Sequence, residues 1–151
     1  MYKRIVRGIL AGAFAGLSEG RIGAVTGKFA PDAEHFFIGE HALAGTRRTP
    51  ASIRRWYERL LLVFPDIRFT VRRIDVSGPP WRTLATVEWQ ETNTGTDGVR
   101  TTNTGVNVVE IRWGRVRRVS IYTDTAMLTR TLDRLALAGN PHAHAAPIVD
   151  P

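Results

Sequence analysis

Residues 103–132 read NTGVNVVEIRWGRVRRVSIYTDTAMLTRTL, and the rest of the chain is placed by this stretch. β-branched residues dominate two runs, Thr102 to Trp113 and Arg115 to Thr123, which predicts a pair of strands. Gly114 sits where the chain must reverse, so the two strands form a tight hairpin. Asp124 ends the second strand, and Thr123 or Asp124 can cap a helix that carries Met127, Leu128, Leu132, Leu135 and Ala136 on one face. Gly139 is placed to close that helix. A carboxylate therefore stands where the last strand hands over to a terminal helix.

Upstream, Thr49-Pro50 starts the clearest helix, with Thr as N-cap and Pro at the first helical position. Its apolar residues Ile53, Trp56, Tyr57, Leu60, Leu61 and Phe64 share one helical face, and Pro65 ends it. Residues 2–18 form a first helix, with Ile5, Ile9, Leu10, Ala13, Phe14 and Leu17 on one side and a small-residue stripe at Gly8, Gly12 and Gly16. A short second helix fits residues 20–28, then Pro31-Asp32 breaks the chain before a short strand, Glu34 to Ile38. A strand from Ile67 to Val76 alternates until Arg72-Arg73, where the phase slips by one residue and predicts a β-bulge. The strand from Trp81 to Glu91 puts Ala85, Val87 and Trp89 on one face. Helices followed by an antiparallel meander and a closing helix make an α+β layout. One domain is expected over residues 1–139, followed by an irregular Pro- and Ala-rich tail over residues 140–151.

At 151 residues the chain is long enough for one real core, and its 43% apolar and 23% charged content is that of a globular protein. It has no Cys, which excludes disulfides, thiol nucleophiles and Cys-ligated zinc. The net charge is +7, and only two of the 21 basic residues are Lys, as in the coding of a GC-rich bacterial genome. The start, with Lys3, Arg4 and Arg7 before ILAGAFAGL, has the shape of a signal peptide with Ala13-Phe14-Ala15 as cleavage site. The amphipathic spacing of the same residues favours a helix of the fold and a cytoplasmic protein. No run reaches the ~18 apolar residues of a membrane span, so no membrane partner is expected. The Arg cluster Arg112, Arg115, Arg117 and Arg118 reads as a solvated hairpin end, and nucleic-acid binding is not expected because no recognition motif accompanies it.

The element order, with the motifs GEHALAGTRR (39–48), SIRRWYERLLLVFPDIRF (52–69), WGRVRRVSIYTDT (113–125) and AAPIVD (145–150), resembles the nuclear transport factor 2-like superfamily, and within it the SnoaL-like branch of polyketide cyclases and ketosteroid isomerase-like proteins. The resemblance covers nearly the whole chain, and WGRV followed by Asp124 is its most specific part. It implies a cone: a strongly bent antiparallel sheet wrapped around the N-terminal helices, the cystatin-like α+β barrel, with an apolar pocket. It implies a small hydrophobic molecule in that pocket and either a cofactor-free isomerase or cyclase or a non-catalytic homodimeric scaffold or binding module. No cofactor and no metal are expected.

The resemblance also implies an acid/base role for Asp124, since SnoaL-like cyclases carry such an Asp near the end of the last strand. A helix cap or an Arg partner is the other role open to it. Strand alternation turns Tyr122 and Ser120 the same way as Asp124 and turns Val109, Ile111, Val119 and Ile121 to the opposite, outer face, the expected dimer interface. Glu110 stands where the cyclases carry a His; it either faces the pocket with Asp124, the two carboxylates dividing into an acid and a base, or pairs with Arg112 or Arg118, and Tyr122 or His41 is the expected proton donor. His41 is a candidate proton relay at the pocket mouth or a hydrogen-bonded structural residue. Trp56, Tyr57, Trp89, Phe36 and Trp113 are candidate pocket aromatics, with His35 beside them. His35 and His41 match no compact metal motif, and His142 and His144 read as solvated. Trp89-x-Glu91 resembles a charged pair on the corresponding strand of epoxide hydrolases, but the Arg of that pair is missing, so hydrolase activity is not carried over. A cavity of ~300 Å³ or more with Asp124 facing it is the expected signature of the pocket reading.

Overall fold

The predicted hairpin lies at the centre of a six-stranded sheet. In the computed structural model, which describes residues 1–150, the strands are β1 (Phe29–Phe37), β2 (Gly45–Arg47), β3 (Arg68–Ser77), β4 (Thr83–Asn93), β5 (Thr101–Arg112) and β6 (Arg115–Thr123). Their order across the sheet is β2-β1-β6-β5-β4-β3, curled but not closed, with β2 and β3 as edges. Four helices complete the α+β fold: α1 (Tyr2–Ser18), α2 (Gly23–Thr26), α3 (Pro50–Val63) and α4 (Thr125–Leu137). None of them is long and apolar enough to cross a membrane.

The sheet is mostly antiparallel, as the family resemblance implied, with one parallel pair. β1 runs parallel to β6, with Glu34 against Arg118 and Phe37 against Ile121. No turn joins these two strands; β1 arrives from α2, so no hairpin dictates its direction. β1 is also longer than expected. Pro31 and Asp32 lie inside it, where the register against β6 shifts between Phe29 and Glu34, and a Pro at such an irregularity needs no ladder donor. The phase slip in β3 is a bulge as read: pairing with β4 jumps from Val71 to Arg73. A second bulge between Glu110 and Ile111 interrupts the β5–β6 pair. Each adds twist and bends the strand, which curls the sheet around the helices.

Helix α3 begins as the sequence predicts. Thr49 Oγ1 accepts from the Ser52 N–H, and Ser52 Oγ accepts from the Thr49 N–H, a reciprocal cap. Helix α1 lies against β3, where Phe14 meets Phe69 edge-on at 5.3 Å and Ser18 Oγ accepts from the Phe69 N–H. Of the small-residue stripe, only Gly16 is needed for close approach. A Cβ there would fall 2.4 Å from that of Ala24, whereas Gly8 and Gly12 face open space.

The core fills the inside of the curl. Val109, Ile111, Val119 and Ile121 belong to it, all 5% exposed or less, which reverses the outer-face expectation. The reason is phase. Alternation had been anchored on Asp124, which lies just beyond β6; Thr123 and Ile121 face in, and Tyr122 faces out. The tail over residues 140–150 is irregular yet packed, with Ala143 and Ile148 buried. Arg47 Nη1 donates to the Ile148 carbonyl at 2.8 Å and Arg59 Nη1 to that of Ala146 at 2.6 Å. The Asp150 carboxylate accepts from the Thr49 hydroxyl and the Arg48 N–H at the start of α3.

Candidate functional site

Inside the curl, α1, α3 and the concave face of the sheet leave a cavity of about 100 Å³. It is narrower than the ~300 Å³ anticipated for a drug-sized ligand. Phe14, Trp56, Tyr57, Phe69 and Trp89 supply much of the apolar wall, and Glu91, Asn103, Asn107 and Thr123 bring polar groups to it.

Trp89 faces Gly105 across the β4–β5 ladder. A Cβ on Gly105 would lie 2.4 Å from Trp89 Cζ2, so only glycine lets the indole lie over that strand. The Trp89 Nε1–H then donates to Asn107 Oδ1 at 2.9 Å. This bond fixes the Asn107 amide: its oxygen is occupied, and its NH₂ is the donor left at the cavity wall.

Glu91 lies between Phe69 and Asn103 in the ladder and is 7% exposed. Both its oxygens accept from Asn93 Nδ2, at 3.2 and 2.9 Å, and no cation pairs with it among the described residues. Burial pushes its carboxyl up to about 7; the Asn93 bonds oppose this, and the charge of Asp66 adds to the rise. A carboxyl with that value exchanges a proton near neutrality, as acid or as base. The Asn103 side chain is committed to the backbone, donating to the Asp124 carbonyl at 3.1 Å and accepting from the Thr104 N–H at 2.8 Å.

The expected residues divide cleanly. Trp56, Tyr57 and Trp89 line the cavity. Burial raises the pKa of the Tyr57 hydroxyl. His35 is fully buried one layer behind the wall, its ring 4.4 Å from that of Trp56. Its Nδ1 accepts from Arg47 Nε at 3.2 Å, so Nε2 carries the proton, and this N–H has no partner among the described residues. Burial and the Arg47 charge hold its pKa well below the usual histidine range. Phe36 lies on the convex face with its ring 6.1 Å from Tyr122.

The four residues expected to act as acids and bases do not converge on the cavity. The exposed Asp124 caps α4, with Oδ1 accepting from the Met127 N–H at 3.0 Å. Tyr122 is 42% exposed on the convex face. Glu110 is exposed there too, paired in register with Arg118. His41 closes its own loop: Nε2–H donates to the Ile38 carbonyl at 2.9 Å and Nδ1 accepts from the Leu43 N–H at 3.1 Å. With both nitrogens on backbone and its pKa lowered by burial, the ring has no free position for a relay. Trp113 is 68% exposed at the hairpin turn, far from any wall role. Glu91, Asn103 and Asn107 were not singled out as a group. The available signal was that Glu91 continues the inward phase of Ala85, Val87 and Trp89, a carboxylate in step with an apolar face.

The profile of the SnoaL-like domain matches residues 10–119. A comparison with curated protein sequences finds no match. Among solved structures, an NTF2-like protein from Burkholderia pseudomallei superposes with a TM-score of 0.74 at 18% identity, over 83% of this chain and 95% of that one. TerC, co-crystallised with polyporic acid, gives 0.69 at 20% identity over 83% and 95%. A protein of ketosteroid isomerase-like fold from Catenulispora acidiphila, in complex with trimethylamine, gives 0.67 at 15% identity over 91% and 96%. At these identities the likeness is one of fold.

Proposed function

The chain belongs to the SnoaL-like domain family, and on that footing we propose that it binds a small, mostly apolar molecule in the cone and moves a proton on it through Glu91, without a cofactor. The observation that carries this reading is a cavity-lining carboxyl with a pKa of about 7 and no cationic partner. Glu91 takes the acid/base role that the family resemblance had given to Asp124. Its carboxylate removes a proton from an acidified C–H; the resulting acid returns it at another carbon in an isomerisation, or, in a ring closure, to the carbonyl oxygen whose π bond breaks as the carbanion forms the new C–C bond. The Asn107 NH₂ donates to the oxygen that gains charge meanwhile. Trp56, Tyr57 and Trp89 hold the apolar body. A cavity of about 100 Å³ suits a single ring rather than a four-ring skeleton. The small ligands of two structural relatives, trimethylamine and polyporic acid, are in keeping with a binding role. Incubation with cyclic ketones in D₂O, followed by NMR, tests this. Deuterium should enter next to the carbonyl with the wild type and not with Glu91→Gln; equal incorporation by both proteins would end the assignment.

We also infer a homodimer as the working form, from a second feature. Phe36, Val106, Val108 and Tyr122 bring partly exposed apolar surface to the convex face of the central strands. Light scattering of the wild type should give twice the chain mass, and Tyr122→Glu should give the monomer.

A further inference from the structure

Two of the four tryptophans are left outside the fold, and they meet. Trp81 and Trp113 are 57% and 68% exposed, with ring centroids 5.9 Å apart. The buried pair, Trp56 and Trp89, spend their indole N–H groups on Leu43 and Asn107; the exposed pair have no partner for theirs among the described residues. The rings are held together by backbone, the Trp113 N–H donating to the Pro80 carbonyl at 2.7 Å. Trp113 has φ 50°, in a two-residue turn where glycine, Asn or Asp would sit without strain. A bulky residue in that conformation, packed only on the likewise exposed Trp81, is an outlier that burial in the core does not explain.

The same end of the molecule collects positive charge. Arg112 and Arg115 stand directly opposite each other in the hairpin, a like-charge pair that opposes the fold. Arg82 follows Trp81, and Lys28 is brought alongside by the Val116 N–H to Lys28 carbonyl bond. The Tyr2–Thr83 hydroxyl bond sets Lys3 near them at the start of α1. None of these five side chains is in a salt bridge among the described residues, whereas the neighbouring Arg117 and Arg118 pair with Asp32 and Glu34. The nearest carboxylate along the hairpin is Glu110, opposite Arg118.

We propose that this end is a docking surface for an anionic lipid bilayer. Indoles with an apolar body and a free N–H settle at the depth of the headgroups, and unpaired Arg and Lys around them face lipid phosphates. The rings pack on each other at 42°, so a nucleic-acid base finds no slot between them; a fluid headgroup layer needs none. Neither tryptophan belongs to the cavity wall, and of the five cations only Lys28 borders it. It does not depend on the reading of Glu91.

Flotation with phosphatidylcholine vesicles, with and without about 30% phosphatidylglycerol, tests the proposal. Binding should be at least roughly tenfold tighter to the anionic vesicles, weaken with salt, and shift tryptophan emission to the blue. Arg112→Ser/Arg115→Ser should lose most of it. Trp113→Gly should lose it too while melting no lower than the wild type, because glycine suits the turn. The proposal is overturned by absent binding, by equal binding to neutral vesicles, by folded variants that bind like the wild type, or by tighter binding to single-stranded DNA than to vesicles.

Discussion

Glu91 and Asp124 differ in what solvent does to them, and the difference is measurable as stability. The carboxyl of Glu91 titrates near 4.5 when free and at about 7 in the fold. Between those values the native state holds the proton that the unfolded chain has lost. Stability contributed by this group is therefore full below pH 4.5 and lost as the pH rises through about 7. The complete change is on the order of 3 kcal/mol. Glu91→Gln has no charge to bury, so its urea-derived stability should lack this loss on the alkaline side and exceed that of the wild type above about pH 8. Asp124 behaves as a cap. Asp124→Ala should cost about 1 kcal/mol by the same melts, Asp124→Asn much less, and neither should alter the deuterium exchange proposed for Glu91.

Among the elements, those written in local chemistry were legible and those written in distant contacts were not. Thr49, Pro50 and the spacing from Ile53 to Phe64 are enough to draw α3, and one slipped residue at Arg72-Arg73 is enough to draw the β3 bulge. The facing of β5 and β6 was misread because a strand has period two, so anchoring the phase on one residue outside the strand inverts every side chain. Asp124 was singled out by the family resemblance; of the two roles open to it, the structure shows the helix cap. The site's polar half was hidden because its residues come from three strands, and Asn107 itself carries no sign that Trp89 will orient it. Gly105 is the mark that was present, a glycine within a β-branched run. Gly105→Ala should force the Trp89 ring off β5, cost roughly 1–3 kcal/mol in denaturant melts, and weaken binding of any cavity ligand as the Trp89–Asn107 bond is lost.

At the scale of the whole molecule, Arg47 joins the sheet edge to the C-terminal tail. Its guanidinium is fully buried and pairs with no carboxylate among the described residues; the Ala44, Gly45 and Ile148 carbonyls and His35 Nδ1 take its protons. Burial brings its pKa down to about 10, which leaves it charged at neutral pH. Arg47→Leu would strand those carbonyls without a donor, for a loss on the order of 3 kcal/mol. Limited proteolysis should then cut the tail between residues 140 and 150, while the wild type, with Ala143 and Ile148 buried, resists.

The parallel seam between β1 and β6 also sets a timetable. β3 to β6 pair through successive short turns, so their contacts can form while the rest of the chain is still random. The seam cannot: Glu34 must find Arg118 across more than half the chain, with no turn to guide it. Closing so long a loop is entropically unfavourable until a finished β6 edge rewards it. β1 should therefore dock after the rate-limiting step. In stopped-flow chevrons, Phe37→Leu should speed unfolding and leave refolding almost untouched, whereas Val109→Ala in the meander should slow refolding. A refolding rate that falls with Phe37→Leu would place the seam in the nucleus instead.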